Sequence, residues 1–122
     1  MAKIYKSYFG NWRNFPQDVI KISIARVHKA SMADFGIPEF MPDEHLLFQY
    51  KNNLISEKEF TVNYRSQLDK LPKEQIINII NHLKELPRPV VLLCYEKCGD
   101  FCHRHILASF IDDLMLYEIE EL

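Results

Sequence analysis

The chain has 122 residues, of which 48% are hydrophobic and 26% are charged, and its formal net charge at pH 7 is −2. A chain of this length can bury a core without disulfide bridges, so we expect a single domain over residues 1–122. The sequence lacks the basic excess that marks proteins of duplex DNA or acidic membrane surfaces, which argues against both of these classes.

Two features of the sequence indicate a cytoplasmic protein. The first residues carry neither the apolar core nor the cleavage site of a secretory signal, and no apolar run reaches the roughly 18 residues of a membrane span. The three cysteines, Cys94, Cys98 and Cys102, lie close together, and their odd number argues against a disulfide framework. We therefore expect a protein of the reducing cytoplasm, without a membrane partner.

The first third of the chain predicts two strands. Residues 3–9 alternate between apolar and polar side chains and are rich in strand-forming types. Residues 19–24 form a second such stretch, which places Arg26 just beyond its carboxyl end. The aromatic segment 10–16 between the strands is predicted to be a loop, and residues 29–41 are predicted to be irregular.

Three helices are predicted in the middle of the chain. Pro42, followed by acidic residues, is typical of a helix start, and this short helix extends to about Asn52. Ser56 and Glu59 have the spacing of a capping box at the start of the second helix. Pro72 begins the third. In the second and third helices the apolar residues recur at helical spacing.

The last third predicts a buried strand, a helix and a short final strand. The unbroken apolar run at 89–95 is typical of a strand covered on both faces. Residues 101–115 form an amphipathic helix with Asp100 as its expected N-cap, and residues 116–119 form the last strand. This order predicts a small α/β domain with a mixed or parallel sheet flanked by helices, in a Rossmann-like three-layer or two-layer arrangement.

The segment 94–105 leaves the buried strand and enters the last helix, where ligands bind in open α/β sheets. A helix N-terminus and neighbouring cationic side chains lower the pKa of a thiol, so Cys102 beside His103 is the best candidate for a nucleophile. Glu96 or His103 would carry the proton. The alternative is that Cys102 is a small buried core residue, which is common for cysteine.

Two other sites are compatible with the same segment. Cys98 and Arg104 have the C-x5-R spacing of phosphatase-like and rhodanese-like loops, in which the thiol attacks and the arginine binds oxygens. Cys98, Cys102 and His105, with Cys94 nearby, are potential ligands of a structural zinc ion. Both remain alternatives to the Cys102 nucleophile.

The stretch "VVLLCYEKCGDFCHRHILASFI" resembles the signature of the domain of unknown function 488 (DUF488) family. That signature is an apolar strand, then Cys-x-Glu, a variable loop, and Cys-His-Arg at the start of a helix. An upstream strand ending in "ISIAR" and a helix with "NYRSQLDKL" are similar to other parts of the family. The family has no assigned function, and the resemblance implies only which positions matter. They are Cys94, Glu96, Cys102, His103 and Arg104, with Ser23, Arg26 and Tyr64.

These observations predict a small enzyme that binds a nucleotide-like or other anionic ligand between strand 89–95 and helix 101–115. The chemistry fits a cysteine-dependent hydrolase or transferase with Cys102 as nucleophile and Glu96 and His103 as proton carriers. Arg104 and Arg26 would bind the anion. Cys94, Ser23 and Tyr64 complete the expected ligand-binding set, and no cofactor or metal ion is assigned to this site.

A non-catalytic module is the alternative function. Aromatic and basic side chains could contact nucleic-acid ends or a partner protein. The residues concerned are Trp12, Arg13, Phe15, Tyr64 and Arg65.

Overall fold

The computed structural model describes residues 2–26, 33–95 and 102–122, which contain five strands and four α-helices. The strands are β1 (Ile4–Tyr8), β2 (Ile20–Ser23), β3 (Phe35–Gly36), β4 (Val90–Cys94) and β5 (Glu120–Glu121). The helices are α1 (Glu44–Lys51), α2 (Glu57–Asp69), α3 (Lys73–Lys84) and α4 (His103–Asp113), and 3-10 turns lie at Phe9–Asn14 and Pro38–Phe40. No helix in these ranges has the length and apolar character needed to cross a lipid bilayer.

The strands form one parallel sheet in the order β3-β2-β4-β1-β5. The central strand β4 is buried along its whole length, as its apolar sequence predicts. Parallel strands joined through helices define an α/β fold, so the predicted fold class is confirmed. Because all strands run in one direction, their carboxyl ends meet at one edge, where β1, β4 and β2 lie side by side.

The two faces of the sheet are covered differently. On one face, Ile22 and Leu92 pack with apolar residues of all four helices, including Phe60 and Phe110. On the other face, Val91 and Leu93 are fully buried against a smaller cluster. That cluster is made by Phe9, Val19 and Ala25, with partly buried neighbours Tyr5, Phe15, Ala33 and Leu122. Within the described ranges, this second face of the sheet is therefore covered by a 3-10 turn and loops and not by α-helices.

The predicted helices are confirmed, with small differences at their ends. The capping box forms as expected: Ser56 Oγ accepts from the Glu59 N–H at 3.1 Å, and Glu59 Oε1 accepts from the Ser56 N–H at 3.1 Å. Helix α4 begins at His103 with Cys102 as its N-cap, so the prediction of Asp100 as the cap is wrong. Two of the catalytic candidates, Cys102 and His103, therefore lie at the start of α4.

Two strands differ from the prediction. Residues 35–36, predicted to be irregular, pair with β2, because the Asp34 and Ile37 N–H groups donate to the carbonyls of Lys21 and Ser23. The last strand starts at Glu120 and not at 116, since the Tyr117 hydroxyl accepts the Ile4 N–H at 3.1 Å. The Tyr117 hydroxyl therefore takes the N–H of Ile4, the first residue of β1, with which a longer β5 would pair.

We expect Met115→Gly to raise the free energy of unfolding by about 0.5–1 kcal/mol, because a residue with a side chain is disfavoured in the left-handed region. Met115 follows the C-cap of α4 with φ of 58°, and its side chain is 91% exposed. Asn53 has the same φ and is the matched control, since asparagine tolerates this region and Asn53→Gly should change little. Chemical denaturation measures both variants, and destabilisation by Met115→Gly would contradict the expectation.

Candidate active site

Cys94 and Cys102 meet at the carboxyl edge of the sheet. Cys94 is the last residue of β4, Cys102 is the N-cap of α4, and their sulfur atoms are joined in a disulfide bond. Both residues are buried, at 0% and 2% exposed. The expectation of a chain without a structural disulfide is therefore not met, because the end of β4 and the start of α4 lie close enough for the two sulfur atoms to be joined.

His103 lies beside Cys102 and is oriented by the backbone. Its Nε2 atom is 2.6 Å from the Ile24 carbonyl oxygen, and its Nδ1 atom is 3.9 Å from Cys102 Sγ. A carbonyl oxygen only accepts hydrogen bonds, so Nε2 must carry a proton. The lone pair of a neutral ring then lies on Nδ1, toward the sulfur. A base oriented by a third group next to a thiol is the arrangement of cysteine nucleophiles.

Tyr64 and Ser23 support this arrangement from inside the protein. Tyr64 is fully buried, packs edge-on against His103 with ring centroids 5.5 Å apart, and donates its hydroxyl to the Phe40 carbonyl. Burial raises the pKa of this hydroxyl far above its ordinary value, so it remains a donor. Ser23 Oγ bonds both the N–H and the carbonyl of Ala25 at 3.2 Å, which fixes the turn after β2.

Arg104 is buried on the other side of the cysteine pair. Its side chain is 0% exposed, and Nη1 donates to Cys94 Sγ at 2.9 Å. Nε and Nη2 donate to the two carboxylate oxygens of Glu121 at 3.2 and 2.9 Å, which is a bidentate pair. The guanidinium also lies 5.7 Å from the centre of the Tyr8 ring. Among the described residues, the Glu121 carboxylate is thus one anionic partner of Arg104, and the predicted binding of a ligand anion by Arg104 stays a prediction.

His105 lies on the same turn of α4, and the charges of Arg104 and Glu121 affect its pKa. Its pKa is lowered from its ordinary value, first by desolvation and then by the Arg104 guanidinium, while the Glu121 carboxylate acts in the opposite direction. The neutral form is therefore favoured at this position.

A cavity of about 380 Å³ adjoins His103 at the carboxyl ends of β2 and β4. Its lining includes Arg26 after β2, Lys51 on α1 and His103, together with Tyr95 after β4 and the apolar side chain of Leu47. Parallel α/β sheets bind ligands at this edge. A mainly apolar cavity with a few polar groups is the usual form of a small-molecule site.

The structure brings together most of the predicted site residues. Cys94, Cys102, His103 and Arg104 form one buried cluster, and Arg26 lines the adjoining cavity. Ser23 and Tyr64 are buried behind the cluster, with their hydroxyls bonded within the protein. The roles assigned to these residues stay predictions.

Two predicted residues, Glu96 and Cys98, lie outside the described ranges. Among described residues no group of three or more His, Cys, Asp or Glu side chains is arranged to hold a metal ion.

Sequence reasoning missed Glu121, Lys51 and Tyr95 as neighbours of the site. Glu121 lies on a strand of two residues that has no apolar pattern, and Lys51 is one of many exposed cations on helices. Tyr95 stood within the quoted signature, directly after the buried strand, and its position at a carboxyl end was the signal that could have identified it.

A profile for the family DUF488-N3a, described as the active DUF488-N3 subclade, matches residues 9–114. This range extends from the 3-10 turn after β1 through α4. No curated protein and no solved structure is significantly similar to the chain. The chain belongs to the DUF488-N3a family.

Proposed function

We propose that the protein is a cysteine-dependent hydrolase or transferase that acts on a small anionic ligand. The observation that carries this proposal is the contact of Cys102 with a backbone-oriented His103 at the wall of a cavity lined by Arg26 and Lys51. Nucleophile, base and anion-binding groups thus converge at one edge of the sheet. The description of the matched subclade as active agrees with an enzymatic role.

The reaction begins from the reduced form, in which Cys102 is a thiol. His103 Nδ1 takes the thiol proton, and the thiolate forms a bond to an electrophilic carbon or phosphorus of the ligand. The leaving group departs with its electron pair and receives the proton from His103. Water, or a second acceptor in a transferase, then displaces Cys102 and returns a proton to the thiol through His103.

Arg26 supports the assignment of an anionic ligand. Its Nε donates to the Pro42 carbonyl at 2.8 Å, which holds the side chain at the cavity. Within the described ranges its two Nη groups have no hydrogen-bond partner, so they can bind two oxygens of one anionic group. Arg104 has a different role in this proposal, because its guanidinium bonds Glu121 and Cys94.

We expect Cys102→Ser to lower kcat/KM at least about a thousandfold on anionic activated esters and thioesters, since a hydroxyl is a far weaker nucleophile at neutral pH. His103→Asn should lower it by about a hundredfold or more. Initial rates of the reduced protein measure the effect, and His82→Asn on α3 is the matched control that should stay within about twofold.

Melting temperatures within a few degrees of the parent protein would show that both variants fold. Two outcomes would overturn the proposal. In the first, Cys102→Ser keeps its activity while Cys98→Ser loses it, which would favour the C-x5-R chemistry. In the second, both site variants unfold the protein, which would make the cluster structural.

A binding module is the second candidate, and one observation favours it. Trp12 is 54% exposed on the 3-10 turn after β1, and the Arg13 guanidinium lies 4.9 Å from its ring centre. Exposed aromatic and basic side chains are typical of single-stranded nucleic-acid contacts. Salt-dependent binding of an oligonucleotide that Trp12→Ala abolishes, without any esterase or thioesterase turnover, would favour this function.

A further inference from the structure

The ring of Tyr95 lines the cavity and is supported by a second aromatic ring. Tyr95 follows β4, lines the cavity and is 44% exposed. Its ring packs against Phe9 with centroids 5.0 Å apart and an interplanar angle of 42°, and Phe9 itself is 3% exposed. Because the Phe9 ring is buried in the core, its contact restricts the orientation of the Tyr95 ring. Such a ring can accept a flat group of a ligand.

Another part of the cavity lining comes from α1. Leu47 and Lys51 are one helical turn apart on α1, so they share a face that lines the cavity. Pro42, whose carbonyl accepts from Arg26, completes this side. None of the described lining residues is acidic. The described lining therefore combines the Tyr95 ring and apolar side chains with two cations, Arg26 and Lys51.

We propose that the ligand of this cavity is a phosphate ester of a flat aromatic group, as in a nucleoside monophosphate or an aryl phosphate. The inference rests on the proposed function and specifies its substrate class. The forked guanidinium of Arg26, with the ammonium of Lys51, fits the oxygens of a phosphate, and the aromatic part lies on Tyr95. A volume of about 380 Å³ lies within the range of small-ligand sites.

Calorimetric titration of the reduced protein with four probes tests the inference. The probes are adenosine 5′-monophosphate, phenyl phosphate, ribose 5-phosphate and inorganic phosphate. The two aromatic probes should bind about tenfold or more tightly than the other two, since stacking on an aromatic side chain adds affinity. Equal affinity for both aromatic probes would identify a general aryl phosphate site, and tighter binding of the nucleotide would identify a nucleoside site.

Variants assign the two ends of the cavity. Tyr95→Ala should remove the advantage of the aromatic probes, while Tyr95→Phe keeps it. Phe48→Ala, which removes a 57% exposed aromatic residue of α1 that is not among the lining residues, is the matched control and should change nothing. Arg26→Met should weaken binding of all four probes about tenfold or more.

The outcomes separate the two proposals. If all four probes bind equally and Arg26→Met weakens them, the aromatic ligand is wrong and the anion site stands. If Arg26→Met changes no affinity, or no probe binds, the anionic ligand of the proposed function is wrong as well. An advantage of aromatic probes that survives Tyr95→Ala overturns the assigned wall.

Discussion

Reduction of the bond between Cys94 and Cys102 is expected to raise turnover at least about a hundredfold, because a disulfide sulfur cannot act as the attacking thiolate. Dithiothreitol supplies two electrons and two protons, which convert the disulfide into two thiols, and is itself oxidised to its cyclic disulfide. Turnover before and after reduction, and again after reoxidation by a small disulfide, measures the effect. Equal turnover in both forms would contradict the proposed nucleophile.

The same reaction has a readout that does not depend on any substrate. The cysteines are eight residues apart in sequence, and closing so short a loop stabilises a protein by about 2–3 kcal/mol in the chain-entropy model. Reduction should therefore lower the free energy of unfolding by up to this amount. The Cys98→Ser variant is the control, because it removes the third cysteine and leaves only this pair able to react. Peptide mapping of the unreduced variant should find Cys94 linked to Cys102.

Arg104→Met is expected to destabilise the protein by about 1.5–3 kcal/mol, because it removes a buried guanidinium that donates hydrogen bonds to Glu121 and Cys94. Arg104 is fully buried, and its side chain bonds both oxygens of Glu121 and the sulfur of Cys94. Adding Glu121→Leu to Arg104→Met should change the stability little further, since the Glu121 side chain is 28% exposed and water solvates its carboxylate once Arg104 is removed. Urea denaturation of the single and double variants measures this coupling.

Arg65 provides a matched control for the same substitution. It bonds Asp113 across α2 and α4, but the two side chains are 35% and 57% exposed. Exposed ion pairs contribute about 0–1 kcal/mol, so Arg65→Met should cost far less than Arg104→Met. Similar losses for the two variants would show that burial does not determine the contribution of Arg104.

The parts of the fold that were predictable from sequence have local signals. The apolar run of β4 and the helical spacing of α2 and α3 identify these elements without knowledge of their neighbours. The junction of β4 and α4 follows from their order in the chain. Cys94, Cys102 and His103 could therefore be placed at one edge of the sheet before any coordinates were known.

The parts that could not be predicted depend on contacts between distant residues. Glu121 reaches Arg104 through an edge strand of two residues, which is too short for a periodic pattern. The pairing of Cys94 with Cys102 also escaped prediction, because cysteine counting gives compartment and parity but not proximity in space. Lys51 joins the cavity only through the packing of α1.

The strand β5 has only two residues, and one of them, Glu121, is the counter-ion of the buried Arg104 guanidinium. An edge strand held by few backbone bonds frays at low free-energy cost, compared with the central strand β4. Each opening of β5 would move the Glu121 carboxylate away from Arg104, whose Nη1 would still donate to Cys94 Sγ. Opening of β5 would therefore change the electrostatic potential at Cys94 and Cys102, although β5 is distant from both residues in sequence.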